Sequence, residues 1–216
     1  MSLNLNNLNE VAEAMVAPGK GILAADESTG TIGKRFDQID TESTEQTRNA
    51  YRDLLFSSDG FEEYISGVIM YDETLRQSSL KDNSPYPEYL TSLGVIPGIK
   101  VDAGAHSLAG TEDEKITSGL DGLDERLKEY RELGARFAKW RAVINITATN
   151  PSDYCIQTNA HALARYAALC QANDIVPIVE PEILMDGEHD IEDSFVVTEE
   201  VLRTVFNELY TQGVQF

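Results

Sequence analysis

Basic residues are scarce in this chain: 17 lysines and arginines face 37 aspartates and glutamates, leaving a formal charge of −20. That balance argues against a nucleic-acid partner or an anionic membrane surface, so an anion can be held only where a few cations cluster locally. Cysteine is nearly absent. Cys155 and Cys170 fall within an apparent helix with neither metal nor disulfide spacing, and read as buried free thiols of a reducing compartment. His106, His161 and His189 lack i, i+4 pairing and any H-E-x-x-H context, so no metal site is expected. No run is long and apolar enough for a membrane span, and the opening MSLNLNNLNE has neither a basic n-region nor an apolar h-region. The expectation is a cytoplasmic protein with no membrane partner. The patterns G-x-G-x-x-G, G-x-x-x-x-G-K-[ST] and G-x-S-x-G are also missing, which weakens dinucleotide-binding, P-loop and serine-hydrolase readings. The acidic stretch DGEHDIED is rich in oxygen donors but lacks calcium-loop spacing, and reads as a solvated loop.

What is present has the composition of an ordinary globular protein, with 42% hydrophobic and 25% charged residues. Hydrophobic patterning yields βα repeated five times, without a composition break. The strands are read within KGILAADESTG, YISGVIMYDET, VIPGIKVD, ARFAKWR and IVPIVEPEI. Helices between them carry apolar stripes, for example Thr47, Ala50, Tyr51, Leu54 and Leu55 after a Ser43/Gln46 capping box. Asn150-Pro151 reads as the start of a helix lined by Ile156, Ala160, Leu163, Ala167 and Cys170. Residues 103–119 read as a loop, Thr198 as the cap of a last helix, and VQF as the start of a sixth strand. Repeated βα units imply a parallel sheet flanked by helices, either an open doubly wound sheet or a (β/α)₈ barrel. Polar residues gather at strand C-terminal ends: Asp26, Glu73, Lys100, Lys139, Arg141, Glu180 and Glu182. A barrel builds its active site there, from several strands, so the α/β class with a (β/α)₈ TIM barrel is the expectation. Five units do not close eight strands, so residues 1–216 are expected to be the first part of one barrel domain.

The densest stretch is IVPIVEPEI, read as a strand buried on both faces. Alternation puts Ile178, Glu180 and Glu182 on one face, as it does Phe137, Lys139 and Arg141 on another strand. Carboxylates at the end of a buried strand need partners or a pocket. A lysine among other cations has a lowered pKa and can attack a carbonyl. A neighbouring glutamate can then move protons as the carbinolamine dehydrates to an iminium ion. Spare cations suit a phosphate, and the turn Ser28-Thr29-Gly30-Thr31 with Lys34 and Arg35 offers hydroxyls, N–H groups and charge. Carbonyl chemistry on a phosphorylated sugar is the expectation. A solvated Lys34-Arg35 turn and a structural Lys139–Glu180 pair are the simpler alternatives.

The segments APGKGILAADESTGTIGKRF, GIKVDAG, LAGT, GLDGL, FAKWR and IVPIVEPEIL closely resemble class I, Schiff-base fructose-1,6-bisphosphate aldolase, in order and with its spacing. The resemblance implies a metal- and cofactor-independent (β/α)₈ enzyme. Such an enzyme cleaves fructose 1,6-bisphosphate to dihydroxyacetone phosphate and glyceraldehyde 3-phosphate, usually as a homotetramer. It implies Glu180 as the principal general acid/base, with Glu182 orienting it. Asp26 would assist proton transfer, Lys139 and Arg141 would assist catalysis and bind substrate oxygen, and Lys100 would position charge. Ser28, Thr31, Lys34 and Arg35 would lie near a phosphate, Thr31 standing where many members have serine. The Schiff-base lysine would lie on a sixth strand beyond Phe216, so that these residues alone would be inactive. A non-catalytic barrel-derived scaffold, or a Schiff-base enzyme for another sugar phosphate, are the alternatives.

Overall fold

A computed structural model describes residues 7–216. The N-terminal stretch inspected for a leader lies mostly outside them. In chain order the elements are α1 (Leu8–Met15), β1 (Gly21–Ala25), α2 (Thr29–Asp37), α3 (Glu45–Phe56), α4 (Phe61–Tyr64) and β2 (Ile65–Met70). Next come α5 (Asp72–Leu75), α6 (Tyr86–Ser92), β3 (Ile96–Lys100), β4 (Ala105–Ser107) and β5 (Lys115–Thr117). The last are α7 (Leu123–Glu132), β6 (Phe137–Ile144), α8 (Asp153–Ala172), β7 (Val176–Ile183) and α9 (Ile191–Thr211). Five strands form one sheet in the order β1-β2-β3-β6-β7, and β1–β2 and β2–β3 are parallel. This is the βα alternation expected. Among the described residues no helix is long and apolar enough to cross a membrane.

The described residues divide into two compact units: 7–100, 128–138 and 174–176, and 101–127, 139–173 and 177–216. In the first unit the sheet is packed by exchanging large for small. The fully buried Phe137 ring lies where side chains of Gly67 and Gly98 would be; a Cβ on Gly98 would fall 2.2 Å from its Cζ. Helix α3 does not turn the expected stripe inward. Leu54 is exposed, while Arg52 and Phe56 are buried, because inward-facing arginines find carboxylates. Its capping box also sits one residue later, at Thr44 and Thr47, which exchange side-chain and backbone hydrogen bonds.

In the second unit, alternation along β6 sends Trp140 against Tyr166 of α8, the rings stacked at 5.5 Å, and Tyr166 Oη donates to the Ile178 carbonyl. The predicted stripe of α8 is buried throughout, and both cysteines are free and buried. Its cap, however, is Ser152 rather than Asn150. Ser152 Oγ accepts from Cys155 N, and Ser152 in turn donates through N and Oγ to the buried Glu114, both at 2.6 Å. Residues 103–119 contain the antiparallel β4–β5 hairpin instead of plain loop. Helix α9 starts well before Thr198, at an Asp190/Asp193 capping box, and residues 214–216 form no strand. β7 is half-buried along its whole length, not buried on both faces. Among the described residues it is the last strand in the sheet order.

Candidate active site

Asp26 and Lys100 sit at strand ends and Ser28 at a helix start. Lys139 and Arg141 lie within β6, and Glu180 within β7, rather than at strand ends as expected, because these two strands run on past the charged residues to Ile144 and Ile183. In the second unit, β6 and β7 present alternate residues on a shared face. Lys139 Nζ lies 3.4 Å from Glu180 Oε2, and Arg141 Nη1 3.2 Å from Glu182 Oε2. Lys139 is the most enclosed of the four, with 13% of its side chain exposed. Neither pair is aligned as a hydrogen bond, and the Oε2 atoms of Glu180 and Glu182 are buried without a hydrogen-bond partner among the described residues. Burial pushes the Glu180 carboxyl above its ordinary 4.5, Lys139 and Arg141 offset this only in part, and the Glu182 charge adds to the rise. A carboxyl that holds its proton to higher pH beside an ammonium group is suited to proton transfer.

In the first unit, Asp26 is buried directly after β1 and Lys100 closes β3 half-buried, both at C-terminal strand ends of the parallel sheet. The Ser28–Thr31 turn is the first turn of α2. Ser28 caps the helix, its Oγ accepting from Thr31 N at 3.3 Å and lying 3.1 Å from Thr31 Oγ1. Arg35, one helical turn further, is half exposed and donates through Nη1 to Glu27 Oε1 and to Tyr51 Oη at 3.2 Å. Glu27 Oε2 accepts from Arg52 Nη1, and Arg52 Nη2 donates to the Glu27 carbonyl at 2.9 Å. Burial works against the Glu27 charge, but the hydrogen bond from Arg52 and the charges of Arg52 and Arg35 win, holding its carboxyl below 4.5. Lys34 is exposed on α2 and has no ion pair among the described residues, as the solvated-turn alternative anticipates.

The sequence points to the Lys139–Glu180 pair, to Arg141 and Glu182 singly and to the α2 cations; it does not point to the Arg141–Glu182 pairing or to Glu27, Tyr51 and Arg52 as site residues. The signal was available in part: Arg48 and Arg52 stand four apart on α3, and share a helix face. Glu73, expected at a strand end, lies in the first turn of α5 and is the partner of Arg48, which grips it at 2.7 and 2.6 Å. Among the described residues no group of three or more His, Cys, Asp or Glu could hold a metal ion.

The family model for glycolytic class-I fructose-bisphosphate aldolase matches residues 7–216. A probable fructose-bisphosphate aldolase class 1 of Xanthomonas campestris is 58% identical over 212 residues, covering 98% of this chain and 63% of its own. A cytosolic fructose-bisphosphate aldolase of Arabidopsis thaliana is 56% identical over 204 residues, covering 94% and 57%. A solved fructose-bisphosphate aldolase of Plasmodium falciparum superposes with a TM-score of 0.93 at 52% identity, covering 96% of this chain and 60% of that one. The expected α/β class, as part of a (β/α)₈ barrel, is borne out. The chain spans somewhat over half the length of these relatives, 57–63% for the two sequences. Matched by the family model from residue 7 to residue 216, the chain belongs to the class I fructose-bisphosphate aldolases.

Proposed function

We propose that the full-length protein cleaves fructose 1,6-bisphosphate reversibly into dihydroxyacetone phosphate and glyceraldehyde 3-phosphate through a lysine Schiff base. The observation that carries this reading is Glu180 on β7, its proton affinity raised by burial, 3.4 Å from Lys139 on β6 in a chain of this family. A lysine amine adds to the substrate carbonyl. Protonated Glu180 donates to the carbinolamine hydroxyl, which leaves as water; the carboxylate so formed takes the C4 hydroxyl proton as the C–C bond breaks, and the iminium ion accepts that bond's electron pair. Lys139 steadies the Glu180 carboxylate once it has given up its proton, and Glu182 holds Arg141 toward substrate oxygen. Asp26 and Lys100 orient charge, while Ser28, Thr31, Lys34 and Arg35 serve a phosphate. In this reading the Schiff-base lysine lies outside these residues, which alone carry no activity. The whole is one barrel domain, cytoplasmic like the relative named cytosolic, and a homotetramer. Borohydride trapping of the full-length protein with dihydroxyacetone phosphate tests the proposal. A covalent adduct is expected; its absence, or activity abolished by a chelator, would sink it.

A further inference from the structure

Two carboxylates in the first unit meet arginines in different ways. Glu73 gives both oxygens to one partner, Arg48, at 2.7 and 2.6 Å, the fork-on-fork arrangement of a carboxylate that neutralises a single arginine. Glu27 splits its oxygens. Oε2 goes to Arg52, which is 2% exposed, and Oε1 to Arg35, which is 53% exposed. Neutralising the buried Arg52 requires no bond to an exposed side chain. The second bond fixes Arg35, and Tyr51 Oη adds another tether on the same Nη1. A guanidinium carries five N–H donors in a rigid fork. With Nη1 held, the Nε–H and Nη2–H groups of Arg35 have no hydrogen-bond partner among the described residues and remain in a set place.

We propose that Glu27 is a positioning residue for phosphate binding. Anchored on Arg52, it holds one edge of Arg35 so that the other edge presents donors to a phosphate of the sugar-phosphate substrate. This rests on the proposed function, in which Arg35 serves that phosphate. Positioning and charge make opposite forecasts. The three side chains carry a net charge of +1, and removing the carboxylate leaves +2. If charge alone governed the site, Glu27→Gln would bind phosphate more tightly. A freed Arg35 must be immobilised by the ligand, which weakens binding, because pre-organisation is lost.

The test uses the full-length protein, measuring KM and kcat for fructose 1,6-bisphosphate cleavage and inhibition by inorganic phosphate. E27Q is expected to raise KM and the phosphate inhibition constant together by about tenfold, with the effect concentrated in KM rather than kcat. R35A raises both, and E27Q/R35A raises them no further than R35A alone, since the two side chains act as one unit. Y51F, which removes a tether and leaves Arg52 paired, raises KM by about twofold to fivefold, and carries the test should E27Q not fold. A KM that falls or stays level in E27Q or Y51F, while R35A raises it, overturns the proposal and leaves the phosphate role of Arg35 standing. R35A without effect overturns its premise, and a wild-type protein without cleavage activity overturns the proposed function itself.

Discussion

Glu27 and Glu180 are both half-buried carboxylates beside cations, yet their proton affinities move in opposite directions. Glu27 accepts aligned hydrogen bonds from two guanidinium groups; Glu180 has an ammonium 3.4 Å away with no aligned bond. Burial raises both. Close hydrogen bonds and charge from two guanidinium groups overcome it in the first case; the longer Lys139 contact at 3.4 Å, with its charge, does not in the second. A carboxylate locked into its ionised form can hold a neighbour still, whereas one that keeps a proton can transfer it. Geometry therefore separates two carboxylates of the same residue type by the direction in which their proton affinity moves.

The most severe way to break the comparison is to take the proton from the active member. Glu180→Gln in the full-length protein should lower kcat for cleavage by about 10²–10⁴-fold, the usual worth of a general acid/base. Steady-state turnover checks it, and a loss below tenfold would move the acid/base role elsewhere. Removing the anchor of the other member should instead cost stability. Arg52→Ala leaves Glu27 without its buried partner and should destabilise by about 3–5 kcal/mol in urea unfolding. Arg141→Ala, at an exposed pair, should cost less than about 1 kcal/mol. Equal losses would mean that alignment and burial do not distinguish the two regions.

An uncharged perturbation sharpens the contrast. Gly98→Ala drives a methyl group into the Phe137 ring and should cost about 1–3 kcal/mol, equally at pH 7 and pH 4, since no titrating group is touched. The two glutamates should depend on pH with opposite sign. The Glu27 carboxyl lies below 4.5 in the folded protein, so its contribution is present above 4.5 and is lost as pH falls through the folded value. E27Q should therefore be less stable than wild type at neutral pH, with the gap closing below pH 4.5. The Glu180 carboxyl lies above 4.5, so its contribution is present below 4.5 and is lost as pH rises through the folded value. E180Q should be no less stable than wild type at pH 7 despite its lost turnover. Unfolding midpoints measured across pH 3.5–8 decide both, and parallel curves for the two variants would contradict the assignment.

Much of the candidate site was legible because a strand has period two. Once ARFAKWR and IVPIVEPEI are strands, Lys139 shares a face with Arg141 and Glu180 with Glu182, whatever their partners. The same logic made Asp26 and Lys100 strand-end residues. It fails on α3, where Leu54 of the expected stripe is exposed and Arg52 is buried, while Tyr51 packs edge-on against Phe36. A stripe argument treats arginine as solvent-seeking, and that holds only until a carboxylate waits inside. The cap of α8 was misplaced for a related reason. Ser152 is selected by Glu114, which comes from the β4–β5 hairpin nearly forty residues earlier and lies outside any local window.

Local order was thus set by the chain itself: where strands run, where they stop, and which side chains share a face. Those follow from backbone geometry and the spacing of apolar residues over a few positions. Which charges become buried, and whether a carboxylate is gripped by two guanidinium groups or merely approached by an ammonium, was decided only by tertiary structure. Desolvation and hydrogen-bond alignment depend on groups that are distant in sequence. Glu27 and Glu180 are the same residue type, and only their surroundings lower the proton affinity of one and raise that of the other.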